Sequence, residues 1–128
     1  MRLLLDTHIF IWWADQQESL SATALSALND EANELILSVA SVWEMQIKVQ
    51  LGKLKLSLPI EELIETQVET NDLGILPVAL PHVLALEALP FHHKDPFDRL
   101  LIAQSIYEDV TLVSVDPEFP AYSVKLLR

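Results

Sequence analysis

Leu3-Leu4-Leu5-Asp6-Thr7-His8-Ile9-Phe10-Ile11-Trp12-Trp13 is the stretch whose reading decides the fold. The leucine run is short, wholly apolar and ends at an acid, so it reads as a buried strand. The apolar segment over residues 9–14 reads as the helix that follows. The same alternation continues outward along the chain. Residues 35–37 predict a second strand, and residues 39–51 a helix that Gly52 ends. Residues 75–78 predict a third strand, followed by a helix opening at Pro81. Residues 112–115 predict a fourth, stopping at Asp116-Pro117, and residues 124–126 a fifth. Between them Ser21 opens a helix with Leu25 and Leu28 on one face. Ile60, Leu63, Ile64 and Val68 form a stripe at helical spacing after Pro59. Asp95-Pro96 opens a helix that places Leu101, Ile102 and Ile106 together. Short apolar strands separated by helices predict an α/β fold in three layers. Its centre is a parallel sheet of four to five strands with helices on both faces and right-handed crossovers. No repeat or linker breaks residues 1–128, so one domain is expected.

Composition narrows the function classes. Of 128 residues, 51% are hydrophobic and 21% charged, which suits a folded core. There are only 2 glycines and no G-x-x-x-x-G-K or G-x-G-x-x-G pattern, so phosphate-loop and dinucleotide sites are not expected. The absence of cysteine removes disulfides, thiolate metal sites and cysteine nucleophiles, and suits the cytoplasm. Asp6 and His8 interrupt the apolar N-terminus, so neither a signal peptide nor a membrane span is expected. A net charge of −11 should repel nucleic acid at long range. Carboxylates that hold cations, which in turn hold phosphate, would answer that objection.

Four acids stand out by position. Asp6 ends the first strand, and Glu44 lies in the first turns of the helix after the second. Asp98 lies in the first turn of the helix opened by Pro96, and Asp116 follows the fourth strand. In a parallel sheet, strand C-termini and the N-termini of the connecting helices share one edge, where ligands bind. Each acid also has a purely structural account. Asp6 can cap a helix, Ser41-Val42-Trp43-Glu44 fits a capping box, Asp98 suits a helix dipole, and Asp116 can start a turn. Asp98, however, shares its helix face with Leu101, Ile102 and Ser105 and is expected to point inward. Arg99 and Lys48 are the nearest bases in sequence. Inward carboxylates without matching bases repel one another unless a cation joins them, and oxygen-only ligands suit Mg²⁺ or Mn²⁺. Asp95, just before Pro96, reads as an N-cap first and an outer-shell acid second.

The segments LLLDTHIFIWW (residues 3–13), SVASVWEMQIKVQLGKLKL (38–56), HKDPFDRLLIAQS (93–105) and TLVSVDPEF (111–119) resemble, in order and spacing, those of PIN-domain proteins. Within that family they are most similar to VapC-like toxins of type II toxin–antitoxin systems. The resemblance implies a PIN-like fold, with Asp6, Glu44, Asp98 and Asp116 as a catalytic, metal-binding quartet supported by Thr7 and Ser114. It also implies Mg²⁺- or Mn²⁺-dependent endoribonuclease activity, a homodimer and a cognate antitoxin partner. If two ions are bound they should sit roughly 3.5–4 Å apart, and no histidine base is required. Products should carry a 5′-phosphate and a 3′-hydroxyl.

Several other residues invite a function. Adjacent histidines point in different directions, so His92 and His93 are not expected to share a metal. His8 is expected to be packed or solvated, although it lies close to Asp6 in sequence. Trp12, Trp13 and Trp43 are expected in the core or an interface, with base stacking as the alternative for any exposed one. Lys48, Lys53 and Lys55 form the one basic cluster. They read equally as a solvated helix end or as a rim contacting RNA or a partner. Two rival functions remain. An aspartate-dependent phosphatase would be favoured by a D-x-D motif, but residues 6–8 read Asp-Thr-His. A non-catalytic PIN-like interaction module would be favoured by an incomplete quartet, and all four acids are present.

Overall fold

A computed structural model describes residues 1–128. Five strands form one sheet in the order β3-β2-β1-β4-β5, and every pairing is parallel. They are β1 (Arg2–Leu5), β2 (Glu34–Ser38), β3 (Gly74–Leu76), β4 (Thr111–Val113) and β5 (Leu126–Leu127). The helices are α1 (Thr7–Asp15), α2 (Ala22–Asn29), α3 (Val39–Gln50), α4 (Ile60–Asn71), α5 (Leu80–Leu84) and α6 (Pro96–Glu108). No helix is long and apolar enough to cross a membrane.

The leucine run explains the layering. Side chains alternate across a strand, so Leu3 and Leu5 face one layer and Leu4 the other. Leu3, Leu5, Leu35, Leu37 and Val113 pack with Ile9, Phe10, Trp13, Ala24, Leu28 and Met45, and partly buried Ile60 and Ile64 of α4 lie against them. Leu4, Ile36 and Leu112 pack on the opposite face with Leu101, Ile102, Val110 and Phe119. Full burial of one such side chain contributes about 1.5–3 kcal/mol. The strands are therefore apolar on both faces, as a sheet between two helical layers requires.

Several boundaries differ from the sequence reading. The first helix begins at Thr7 rather than at residue 9, because Asp6 is its cap and accepts the Ile9 N–H at 2.9 Å. The third strand stops at Leu76, since Pro77 has no N–H to continue the ladder. The fourth stops at Val113, and the fifth is displaced to Leu126–Leu127. Gly52, at φ 71, follows the end of α3 in the left-handed region.

The strand order reverses at β1, with β2 on one side and β4 on the other. A ligand crevice is expected beyond the strand ends at such a switch point. Asp6 and Asp116 follow the two strands that flank it, and α3 and α6 both begin at the same edge.

Candidate active site

Asp6 is 5% exposed and held from several directions. Its backbone N–H donates to the Val113 carbonyl at 3.1 Å, which ties it to the neighbouring strand. One carboxylate oxygen accepts the Ile9 N–H, and the other accepts the Ser114 hydroxyl at 2.6 Å. Ser114 Oγ also accepts the Asp116 N–H at 3.1 Å, so one buried hydroxyl links the two strand-end acids. Burial raises the Asp6 pKa above the usual carboxylate value. The Ser114 and Ile9 hydrogen bonds and His8 oppose this, while the charge of Asp116 adds to it.

Glu44 of α3, 4% exposed, is joined to the residue that follows Asp6. The Thr7 hydroxyl donates to its Oε1 at 2.6 Å, and Lys48 Nζ lies 2.8 Å from Oε2. The capping-box account of Glu44 is overturned. The cap of α3 is Ser38, whose hydroxyl accepts the Ala40 N–H at 3.1 Å. Ser41 lies inside the helix, where its buried hydroxyl has no hydrogen-bond partner.

Asp98 enters from the first turn of α6, as its helix face predicts. Asp95 caps that helix, accepting the N–H groups of Phe97 and Asp98 at 2.8 and 3.1 Å, with Pro96 following it. The Asp98 pKa is pushed up to about 7, first by burial and then by the charges of Asp95 and Glu44. Asp6 adds to the rise and His93 opposes it. The charges of Glu44 and Asp6 thus act on Asp98, and that of Asp116 on Asp6.

The structure adds one residue that the sequence reading did not place here. His93 Nε2 lies 3.0 Å from Asp98 Oδ2 and 3.0 Å from Asp116 Oδ2. The ring is fixed from behind, since the Asp95 N–H donates to Nδ1 at 3.1 Å. The His93 N–H donates to the Tyr122 hydroxyl at 2.7 Å. An Nδ1 that accepts a hydrogen bond carries no proton, so the neutral ring holds its proton on Nε2, facing the two carboxylates. Burial works against a charged ring here. The Asp116 hydrogen bond and the charges of Asp98, Asp116 and Asp95 outweigh it, and the pKa is raised. The detectable signal was positional: a histidine two residues before an N-cap aspartate can reach both the cap and the first turn. His92 diverges from it, as adjacency predicts, and packs edge-on against Tyr122.

The remaining expectations divide. Arg99, one of the nearest bases in sequence, is buried and donates to the carbonyls of Leu86, Leu89 and Pro90 rather than to any acid. Lys48 is engaged by Glu44, whereas Lys53 and Lys55 are exposed. Trp13 is buried and Trp12 packs half-buried on the core. The core expectation fails for Trp43, which is 62% exposed and meets Phe97 edge to face at 5.1 Å. A burial pattern with period near 3.6 explains this, because Glu44 and Met45 take the buried face of α3 and leave Trp43 outside. His8 is exposed near Trp12.

As a donor set the crevice fits a divalent cation. Carboxylate oxygens of Asp98 and Asp116 and His93 Nε2 lie within 4.8 Å of one another, and Asp6 and Glu44 fall outside that group. The acids outnumber the bases that touch them, and two carry raised pKa values. Carboxylate oxygens of this kind suit a hard divalent cation. Because Asp95 occupies Nδ1, His93 presents N–H rather than a lone pair, and acts here as a donor to ligands.

The fold and its strand-end acids define an α/β protein with an acidic cluster at the switch point of a parallel sheet. A family model for the PIN domain matches residues 3–125, and the chain belongs to that family. It is 29% identical over 116 residues to a ribonuclease, VapC22, of Mycobacterium tuberculosis, covering 89% of this chain and 86% of that protein. Among solved structures, a chain of VapBC2 from Rickettsia felis, bound to a DNA fragment from its promoter, superposes with a TM-score of 0.76 at 18% identity. That match covers 99% of this chain and 98% of the other. A chain of FitAcB from Neisseria gonorrhoeae matches with a TM-score of 0.62 at 16% identity, covering 98% and 96%. A toxin–antitoxin complex from Klebsiella pneumoniae gives a TM-score of 0.62 at 16% identity over the same shares.

Proposed function

We propose that this chain is a divalent-metal-dependent endoribonuclease and the toxin of a toxin–antitoxin pair. What supports the reading is the close group of Asp98, Asp116 and His93, with Asp6 linked to Asp116 through Ser114 and the charge of Glu44 acting on Asp98. Burial and mutual repulsion there hold Asp6 and Asp98 above their ordinary pKa. Positive charge is what such a site lacks, and Mg²⁺ or Mn²⁺ supplies it. The ribonuclease relative and the toxin–antitoxin neighbours support the same reading.

When bound, the cation lowers the pKa of water and stabilises charge on the attacking and leaving oxygens of a phosphodiester. Asp6, Asp98, Glu44 and Asp116 bind it. Ser114 orients Asp6 and steadies the Asp116 backbone, and Thr7 fixes the rotamer of Glu44. His93 holds Asp98 and Asp116 toward one point through its Nε2–H. Asp95 acts from outside, by capping α6 and fixing the His93 ring. Such outer partners orient ligands and tune a metal site. Lys53 and Lys55 serve as a phosphate-contacting rim, which screening at physiological salt confines to short range. A cognate antitoxin, a homodimeric toxin and a cytoplasmic site of action complete the reading.

The test is cleavage of single-stranded RNA by purified protein with Mg²⁺ or Mn²⁺, with chelator and Asp6→Asn as controls. Expression of the wild-type chain should slow growth, and expression of the variant should not. A harmless wild-type chain that leaves RNA intact with either metal would favour the non-catalytic interaction module.

A further inference from the structure

The aromatic pair beside the crevice has no part in the chemistry above. Trp43 immediately precedes Glu44 in α3, and Phe97 immediately precedes Asp98 in α6. In each case the acid turns inward and the ring outward. The rings come from different helices, yet meet at 5.1 Å with an interplanar angle of 79°. Edge-to-face contact is a favourable geometry that fixes both rings, so the exposed indole is presented rather than loose. The other exposed aromatics differ in position. Phe91 lies under the Arg99 guanidinium at 4.0 Å, and Tyr107 packs on His82 near the end of α6 farthest from Asp98.

We propose that Trp43, braced by Phe97, is a stacking platform for an unpaired nucleobase next to the phosphate held at the acid crevice. The proposal rests on the ribonuclease reading and names how that site holds its substrate. Charge is the main argument. Proteins that bind single strands usually combine a basic groove with aromatic platforms. This chain has 8 lysines and arginines against 19 acids. Of the bases near the crevice, Lys48 is paired with Glu44 and Arg99 is buried on carbonyls, which leaves exposed Lys94 beside His93 and the rim lysines Lys53 and Lys55. Those few cations face many acids, so charge alone gives a strand little hold there. Stacking is uncharged and gives affinity without opposing the surrounding acids. A base stacked in a duplex has no free face, so the platform selects unpaired strands. A protein partner is the competing occupant, and the loss of binding to a base-bearing strand but not to an abasic one separates the two.

The experiment uses labelled oligouridylate, an abasic ribose-phosphate strand of equal length, and an RNA duplex, with Asp6→Asn as the uncut background. Trp43→Ala should weaken oligouridylate binding roughly tenfold, in the range of one base stack. Trp43→Phe should restore most of it, and the abasic strand should not respond to either change. In the otherwise wild-type chain, Trp43→Ala should raise KM more than it lowers kcat. Trp43→Leu keeps an apolar side chain without a π face and decides the matter if the alanine variant does not fold. Equal binding by Trp43→Ala and its parent overturns the proposal, as does an equal loss on the abasic strand. Lost antitoxin affinity with RNA binding unchanged also overturns it and assigns the pair to the protein partner. If the unaltered protein neither binds nor cuts RNA with Mg²⁺ or Mn²⁺, the ribonuclease reading itself fails. That result precedes any change at Trp43.

Discussion

Replacing Asp98 with asparagine should stabilise the metal-free protein at pH 8. The side chain is 18% exposed, and its pKa is pushed from 3.8 to about 7, first by burial. At 1.36 kcal/mol per pH unit, holding it ionised at pH 8 costs the folded state at most about 4 kcal/mol. Partial contact with water reduces this to about 2 kcal/mol. The sign follows from linkage. Between pH 3.8 and about 7 the folded state binds more protons at Asp98 than the unfolded chain, so stability falls as pH rises through that window. The raised His93 pKa acts in the same direction, since its contribution is complete below the unfolded value and is lost as pH rises through the folded one. In chelator, wild-type protein should therefore melt higher at pH 5 than at pH 8. Asp98→Asn should exceed wild type by about 5–10 °C at pH 8 and by well under half of that at pH 5, where only the unfolded chain is ionised at this position. Asparagine keeps an acceptor for His93, and the Asp98 N–H bond to the Asp95 carboxylate is a backbone bond that survives. Added Mn²⁺ should reverse the order, stabilising wild type more than the variant. A structural acid in a helix first turn would instead contribute about 0.3–1 kcal/mol. A variant less stable than wild type at pH 8, or one with an unchanged pH slope, would refute the reasoning.

Ser114→Ala removes the hydroxyl joining Asp6 to Asp116 and should weaken Mn²⁺ binding by roughly tenfold. Calorimetry giving wild-type affinity would contradict that role. In the metal-free neutral form, nitrogen-15 spectra of His93 should place the ring proton on Nε2, and a proton on Nδ1 would show that the Asp95 bond does not fix the ring. The acidic crevice should draw an arginine of the antitoxin, so the complex should loosen as salt rises and when that arginine is replaced by alanine. A salt-independent affinity would argue for apolar docking alone.

How much was legible in the sequence depends on whether the deciding contacts are local. The Leu3–Leu5 run, Asp95-Pro96 and the stripe of Ile60, Leu63 and Ile64 each carry their structural reason within a few residues, and they predict the layers and the parallel sheet. The strand-end edge follows from topology, which is why Asp6, Asp98 and Asp116 could be assigned to one edge from the sequence. What escaped depends on contacts between distant segments. Thr7 meets Glu44 across 37 positions and Ser114 meets Asp6 across 108. His93 reaches Asp116 from 23 positions away, through a ring whose tautomer is set by the neighbouring Asp95 N–H. Trp43, expected in the core or an interface, lies outside the core for a different reason. Composition predicts that tryptophan is buried, but a helix has only one inward face, and in α3 Glu44 and Met45 take it. On the stacking proposal, the same partition would let so acidic a chain face RNA. An inward acid and an outward ring at adjacent positions would put charge where a cation can cancel it, and an uncharged surface where the strand arrives.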